Sequence, residues 1–314
     1  MRNSFLTSLY DLAKADKRVL ALVADNGAIV FDKFRADLPN QFLNCGIAEA
    51  TMATVAAGLA SCGKIPFTYT ITTFLLMRAF EQVRNDICMQ NMNVKLVGIG
   101  GGLAYSTLGS THHAIEDIAL MKVLANMTIL SPCDPMEAGK ATLAAAKIKG
   151  PVYIRLGTNK EPAIYKNDYS FEVGQAVMLK DGEDLTIIGT GSILNNALDA
   201  AQILDREGIS TRVVNIHTIK PLDKEMILRC AQETKSVLTL EEHNINGGLG
   251  DSVASVILEG GHFPVKFHRM GIQDCFCRSY GPHKYLREKY GLGILDIVRE
   301  AKLLNEAKST TLLQ

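Results

Sequence analysis

Short apolar runs alternate with amphipathic stretches along the whole chain. Arg18-Val-Leu-Ala-Leu-Val-Ala24 is a continuous apolar run closed by Asp25-Asn-Gly27, the pattern of a strand buried on both faces. Further strands are predicted at 66–70, 94–98, 127–130 and 151–155. Between them lie helical patterns: an amphipathic N-terminal stretch, then 46–60, 74–87, 114–122 and 135–147. The 74–87 helix carries its apolar positions at 76, 80, 83 and 87. Polar residues then crowd Asn159, Lys160, Glu161, Pro162, Lys166, Asn167 and Asp168, and the alternation restarts at Asp184-Leu-Thr-Ile-Ile. Helices near 193–207, 223–233 and 247–259 separate strands at 211–215, 236–240 and 265–269. Strands alternating with helices predict two consecutive α/β domains, each a mostly parallel sheet flanked by helices. Their expected bounds are 1–165 and 184–314, joined by a linker over 166–183.

Composition adds little beyond this. The 314 residues suffice for two domains, 47% are apolar, and 33 basic residues balance 33 acidic ones. A neutral chain offers no basic field for nucleic acid or an acidic membrane, and little repulsion to keep copies apart. No apolar run is long enough to span a membrane, and the N-terminus lacks the apolar core of a signal peptide; a cytoplasmic location is expected. Seven scattered cysteines show no paired zinc spacing and read as reduced thiols used as small hydrophobes.

The candidate chemistry concentrates in Asn44-Cys-Gly-Ile-Ala-Glu49 and the small-residue segment that follows to Ala60. Glu49 is the only charge in that stretch. A carboxylate on an apolar wall is costly to ionise, so its pKa should rise unless a partner compensates; raised carboxylates of this kind exchange protons with bound rings. The alternative is an ordinary acidic residue in a helix first turn. Gly189-Thr-Gly191 opens like a dinucleotide fingerprint, but Leu194 stands where the third glycine belongs, leaving a tight turn. Phosphate-loop and nucleophile-elbow motifs are absent. Thr111-His-His113 follows a glycine-rich approach: adjacent histidines suit single proton or hydroxyl contacts better than a metal pair, and capping or packing is the competing explanation.

Taken in order, Asn44–Glu49, Thr73-Phe-Leu-Leu-Met-Arg-Ala-Phe-Glu-Gln82, Asn93–Gly98, Gly109-Ser-Thr-His-His-Ala-Ile-Glu-Asp-Ile-Ala119, Pro151–Arg155, Thr218–Asp223 and Glu242-His-Asn-Ile-Asn-Gly-Gly-Leu-Gly250 resemble the transketolase family. The resemblance covers nearly the whole chain and falls on the C-terminal half of a full-length transketolase, the pyrimidine-binding and terminal domains. It implies thiamine diphosphate as cofactor. The Gly-Asp-Gly…Asn motif that holds its diphosphate through Mg²⁺ in this family is absent here, which implies a split enzyme: a separate N-terminal subunit supplies that half, the metal is bound mainly there, and the whole assembles as a heterotetramer. By the same resemblance Glu49 would hydrogen-bond a pyrimidine nitrogen and favour the imino tautomer that deprotonates the thiazolium. Phe74, or Leu75 or Phe80 given a small register difference, would stack on the ring, with Ile47 beside it. His112 would contact the sugar, and Arg155 and Arg2 would hold a sugar phosphate.

Two departures bear on substrate. Leu108 replaces an aspartate that reads a sugar hydroxyl in the family, and a phosphate-binding histidine falls on Gly100. A modified sugar is therefore as consistent with the sequence as a pentose phosphate. The resemblance leaves as alternatives a 1-deoxyxylulose-5-phosphate synthase-like or 2-oxoacid dehydrogenase β-subunit-like enzyme, and, outside catalysis, an assembly or regulatory chain. His243, Asn244, Arg278, His283 and Tyr285 are expected to be structural or interfacial.

Overall fold

The structure, a computed structural model, describes residues 1–26, 28–158, 161–261 and 266–306. Gly27, Asn159, Lys160, Val265 and the end of the second expected domain lie outside the described residues. The strands are β1 (Val19–Val23), β2 (Phe42–Asn44), β3 (Ile65–Ile71), β4 (Lys95–Ile99), β5 (Thr128–Leu130), β6 (Val152–Leu156), β7 (Val177–Lys180), β8 (Leu185–Gly189), β9 (Thr211–Asn215), β10 (Thr218–Lys220), β11 (Ser236–Asn244) and β12 (Lys266–Ile272). They form a seven-stranded sheet, ordered β10-β5-β6-β4-β3-β1-β2, and a five-stranded sheet, ordered β12-β11-β8-β9-β7. Pairing is parallel except for β10 on β5 and β7 on β9.

The apolar runs find their explanation in this layering. Alternate residues of a strand point to opposite faces, and on β1 Leu22 enters one buried cluster while Val19, Ala21 and Val23 enter another. Both faces are covered, so nothing polar is needed on either. The cluster around Leu22, Met52, Leu75 and Leu96 continues into Ile188, Val214, Ile227 and Val253 of the second sheet's layer. A shared core and the strand β10 therefore bind the two halves together.

Three strands escaped sequence reasoning. β2, β7 and β10 are short edge strands, and an edge lacks the two-sided apolar signal that betrays a central strand; β7 lies inside the segment expected to be linker. The second half also ends in two helices with no sequence expectation, His283–Lys289 and Ile294–Glu306. The helix expected from 46 starts at Glu49 instead, because Gly46 takes a positive φ of 72° and holds the preceding turn open. The helix expected over 74–87 is the larger difference: Phe74–Arg78 and Val83–Cys88 are π-helical turns around a short α-helical Phe80–Gln82. Each π-turn accommodates one more residue than an α-turn, so the winding departs from the α-helical period expected for this segment.

Candidate active site

In an open parallel sheet the crevice lies beyond the carboxyl ends of the strands, where the strand order reverses. In the first sheet that reversal falls at β1, with β2 on one side and β3 on the other. Asp25 follows β1, Asn44 ends β2 and leads to Glu49, Phe74 follows β3, Gly100–Gly102 follow β4, and Thr158 follows β6. The entrance to the Glu49 helix is fixed by a reciprocal pair: Asn44 Oδ1 accepts from the Asp25 and Gly46 N–H groups, and Asn44 Nδ2 donates to Asp25 Oδ1 at 3.0 Å.

Glu49 opens its helix 2% exposed. Its compensating partner, which the sequence did not reveal, is Arg78: Nη1 donates to Glu49 Oε2 at 2.7 Å, with the arginine side chain half exposed. The same guanidinium lies over the Phe74 ring, 4.7 Å from its centroid. The His112 ring meets Phe74 edge-on at 5.2 Å, and the Tyr105 ring stands 6.4 Å from His112. Thr111 Oγ1 lies 2.9 Å from His112 Nδ1, and Thr73 Oγ1 donates to the Thr111 carbonyl at 3.2 Å. Glu49, Phe74 and His112 are thus linked, Glu49 through Arg78. His113 faces away, buried, with burial pulling its pKa down.

The other expected residues divide. Ile47 is 78% exposed and Leu108 half exposed, both open to contact. Phe80 is half-buried against the core. Leu75 requires a correction: it is fully buried in the core cluster and offers no surface to a ring. Arg155 requires another. It is 7% exposed, its Nε donates to Asp117 Oδ2 at 2.7 Å, and its Nη2 donates to Asp117 Oδ1 and to the carbonyls of Ala114 and Glu242. A guanidinium so committed braces the two halves and is not free for a sugar phosphate. Arg2 remains: its N–H donates to the Thr158 carbonyl, and its Nε is buried without a hydrogen-bond partner among the described residues.

At Gly100, where the resemblance places a phosphate-binding histidine, the space beside the backbone is taken by Tyr105. The Gly100 φ is +84°, and a Cβ built there would lie 2.1 Å from the Tyr105 ring, so that ring fills the space. Burial raises the Tyr105 pKa, while Arg2 and the Asn26 side chain pull it back. Glu242 is the other residue that sequence reasoning passed over. Its Oε1 accepts from the Leu103 N–H at 2.6 Å and from His283 Nε2 at 2.8 Å, and Oε2 accepts from Arg287. The glycine turn of the site is thereby hung from the second half of the chain.

A buried carboxylate and an aromatic face beyond the carboxyl ends of the strands, with an exposed isoleucine two residues before the carboxylate, suit a flat, hydrogen-bonding heteroaromatic ring such as an aminopyrimidine. A metal is not served in the same way: among the described residues no group of three or more His, Cys, Asp or Glu side chains could hold an ion. No helix among them is long and apolar enough to cross a membrane.

Comparison with known proteins places the chain in a family. Residues 1–162 match the transketolase pyrimidine-binding domain and residues 174–297 the transketolase C-terminal domain. The chain belongs to the transketolase family. It is 38% identical to the 6-deoxy-6-sulfo-D-fructose transketolase subunit SqwH of Clostridium sp. (strain MSTE9), over 98% of this chain and 95% of that one. To an apulose-4-phosphate transketolase subunit of Phocaeicola vulgatus it is 39% identical, over 87% of each. A solved split-gene transketolase, described as an inactive β4 tetramer, superposes with a TM-score of 0.86 at 39% identity, over 97% of this chain and 98% of that one. Within the family, two of these relatives are named as subunits and the third as a split-gene transketolase, and this chain covers 87% or more of each.

Proposed function

We propose that this chain is the pyrimidine-binding subunit of a thiamine-diphosphate-dependent transketolase, its active site completed by a separate subunit that holds the diphosphate and Mg²⁺. The observation that carries the reading is Glu49: a buried carboxylate opening a helix at the sheet's switch point, linked through Arg78 to the Phe74 ring and beside His112. When bound, thiamine diphosphate supplies the nucleophilic carbon that takes a two-carbon ketol unit from a ketose and passes it to an aldose.

The chain's own residues then have defined tasks. Glu49 holds a proton at the pyrimidine ring nitrogen, and its apolar surroundings keep water from competing for it. Phe74 supplies the flat contact, with Ile47 and Phe80 bordering it. His112, oriented through Thr111, meets a sugar oxygen. Arg2 is the remaining cation for an acidic substituent of the sugar, and Leu108 gives an apolar contact where a hydroxyl would otherwise be read. The relatives named for 6-deoxy-6-sulfo-D-fructose and apulose 4-phosphate support a modified sugar as substrate, and a heterotetramer of two copies of each subunit follows from a site built across chains.

The test is ketol transfer by the chain reconstituted with an N-terminal transketolase subunit, wild type against Glu49→Gln. Loss of a positioned acid–base group lowers turnover by about 10²-fold or more, with circular dichroism unchanged. Unaltered turnover in the Gln variant would remove Glu49 from the chemistry.

A further inference from the structure

In the chain by itself, Arg78 fulfils both contacts that the reading above gives to the cofactor's ring. Its Nη1 donates to Glu49 Oε2 at 2.7 Å, and its guanidinium covers the Phe74 ring at 4.7 Å from the centroid. A guanidinium is planar, carries N–H donors along its edge and places a flat face on aromatic rings. An aminopyrimidine offers a comparable pair, a ring nitrogen that shares a proton with the carboxyl group and a flat face. The two groups compete for the Glu49 carboxyl group and for the Phe74 face that the guanidinium covers.

We propose that Arg78 is an internal stand-in for the aminopyrimidine, occupying Glu49 and Phe74 until the cofactor displaces it. The inference rests on the assignment of Glu49 and Phe74 to the pyrimidine. The device solves a physical problem of a shared site: a buried carboxylate left without a cofactor or a counter-ion is strongly disfavoured. Arg78 supplies the counter-ion from the chain itself. It is also suited to leave. Its side chain is 50% exposed, so water takes over its hydrogen bonds as it swings out, and half-exposed ion pairs contribute little to stability. It sits at the last position of the first π-turn, next to exposed Met77 and before Ala79, where the segment changes winding.

The test is the dissociation constant and association rate of thiamine diphosphate with Mg²⁺ for the assembled two-subunit enzyme, comparing wild type with Arg78→Gln and Arg78→Ala. Displacement requires the variants to bind tighter, by about threefold to tenfold for Ala, with faster association; Gln, which keeps a donor to Glu49 without the charge, falls between. Equal or weaker binding in both variants overturns the proposal, because Arg78 then either plays no part or holds the cofactor instead of yielding to it. Should Ala fail to fold around an unpaired Glu49, the Gln variant decides alone. Absence of any binding by the wild-type assembly would instead contradict the assignment of the site itself, and that control is measured first.

Discussion

Glu49 shows how far single residues can be read and where reading stops. The sequence marks it as a lone charge on an apolar helix and calls for a compensating partner, but Arg78 lies 29 residues away in a segment whose winding no α-periodicity describes. Gly102 is a position where the structure makes a sharper demand. Its φ is +65°, and a Cβ there would lie 2.5 Å from Glu242 Oε1. Gly102→Ala should cost about 2–3 kcal/mol in chemical denaturation, combining backbone strain with displacement of a buried carboxylate. A loss under about 0.5 kcal/mol would mean that the turn moves freely. Arg155 teaches the opposite lesson: a motif match pointed to a ligand, yet burial and a bidentate carboxylate tie it to Asp117. Only the fold brings Asp117 and Arg155 together.

At the scale of elements, the central strands were legible through their apolar runs, and so was the edge strand β12, whereas the short edge strands β2, β7 and β10 were not, for want of that signal. The end of β11 is the element with the clearest consequence. It carries Glu242 into contact with the glycine turn of the first half and with His283 and Arg287 of the second. Burial alone would raise the Glu242 pKa, but Arg287 and then His283 outweigh it and hold the carboxyl well below the ordinary value of 4.5. A group depressed on folding gives stability that is present above its unfolded pKa and is lost as pH falls toward the folded one. Unfolding free energy measured from pH 6 downward should therefore fall from about pH 5, and less steeply in Glu242→Gln. Parallel pH profiles for the two proteins would show that the carboxylate is not held by these partners. His283 was expected to be structural or interfacial, and its bond to Glu242 ties it into the fold.

For the whole molecule, the two sheets share one apolar cluster, and β10, from the second half of the chain, pairs with β5 of the first sheet, so the halves form a single scaffold. The sequence made the α/β class and the two sheets readable through periodicity, and the family through motifs spread along the chain. It did not show the shared core or β10 crossing to the first sheet, because those contacts join residues far apart in sequence. Under the proposed function the scaffold supplies one half of a site, with the buried Glu49 carboxylate facing the cofactor's ring and, among the described residues, no cluster for a metal. The most direct test is calorimetric titration of thiamine diphosphate with Mg²⁺, first into this chain alone and then into its mixture with a subunit carrying the Gly-Asp-Gly…Asn motif. The expected result is no measurable heat of binding alone and saturable binding at one site per subunit pair in the mixture. Tight binding by this chain alone would contradict a shared site, since the diphosphate and its metal would then be held here.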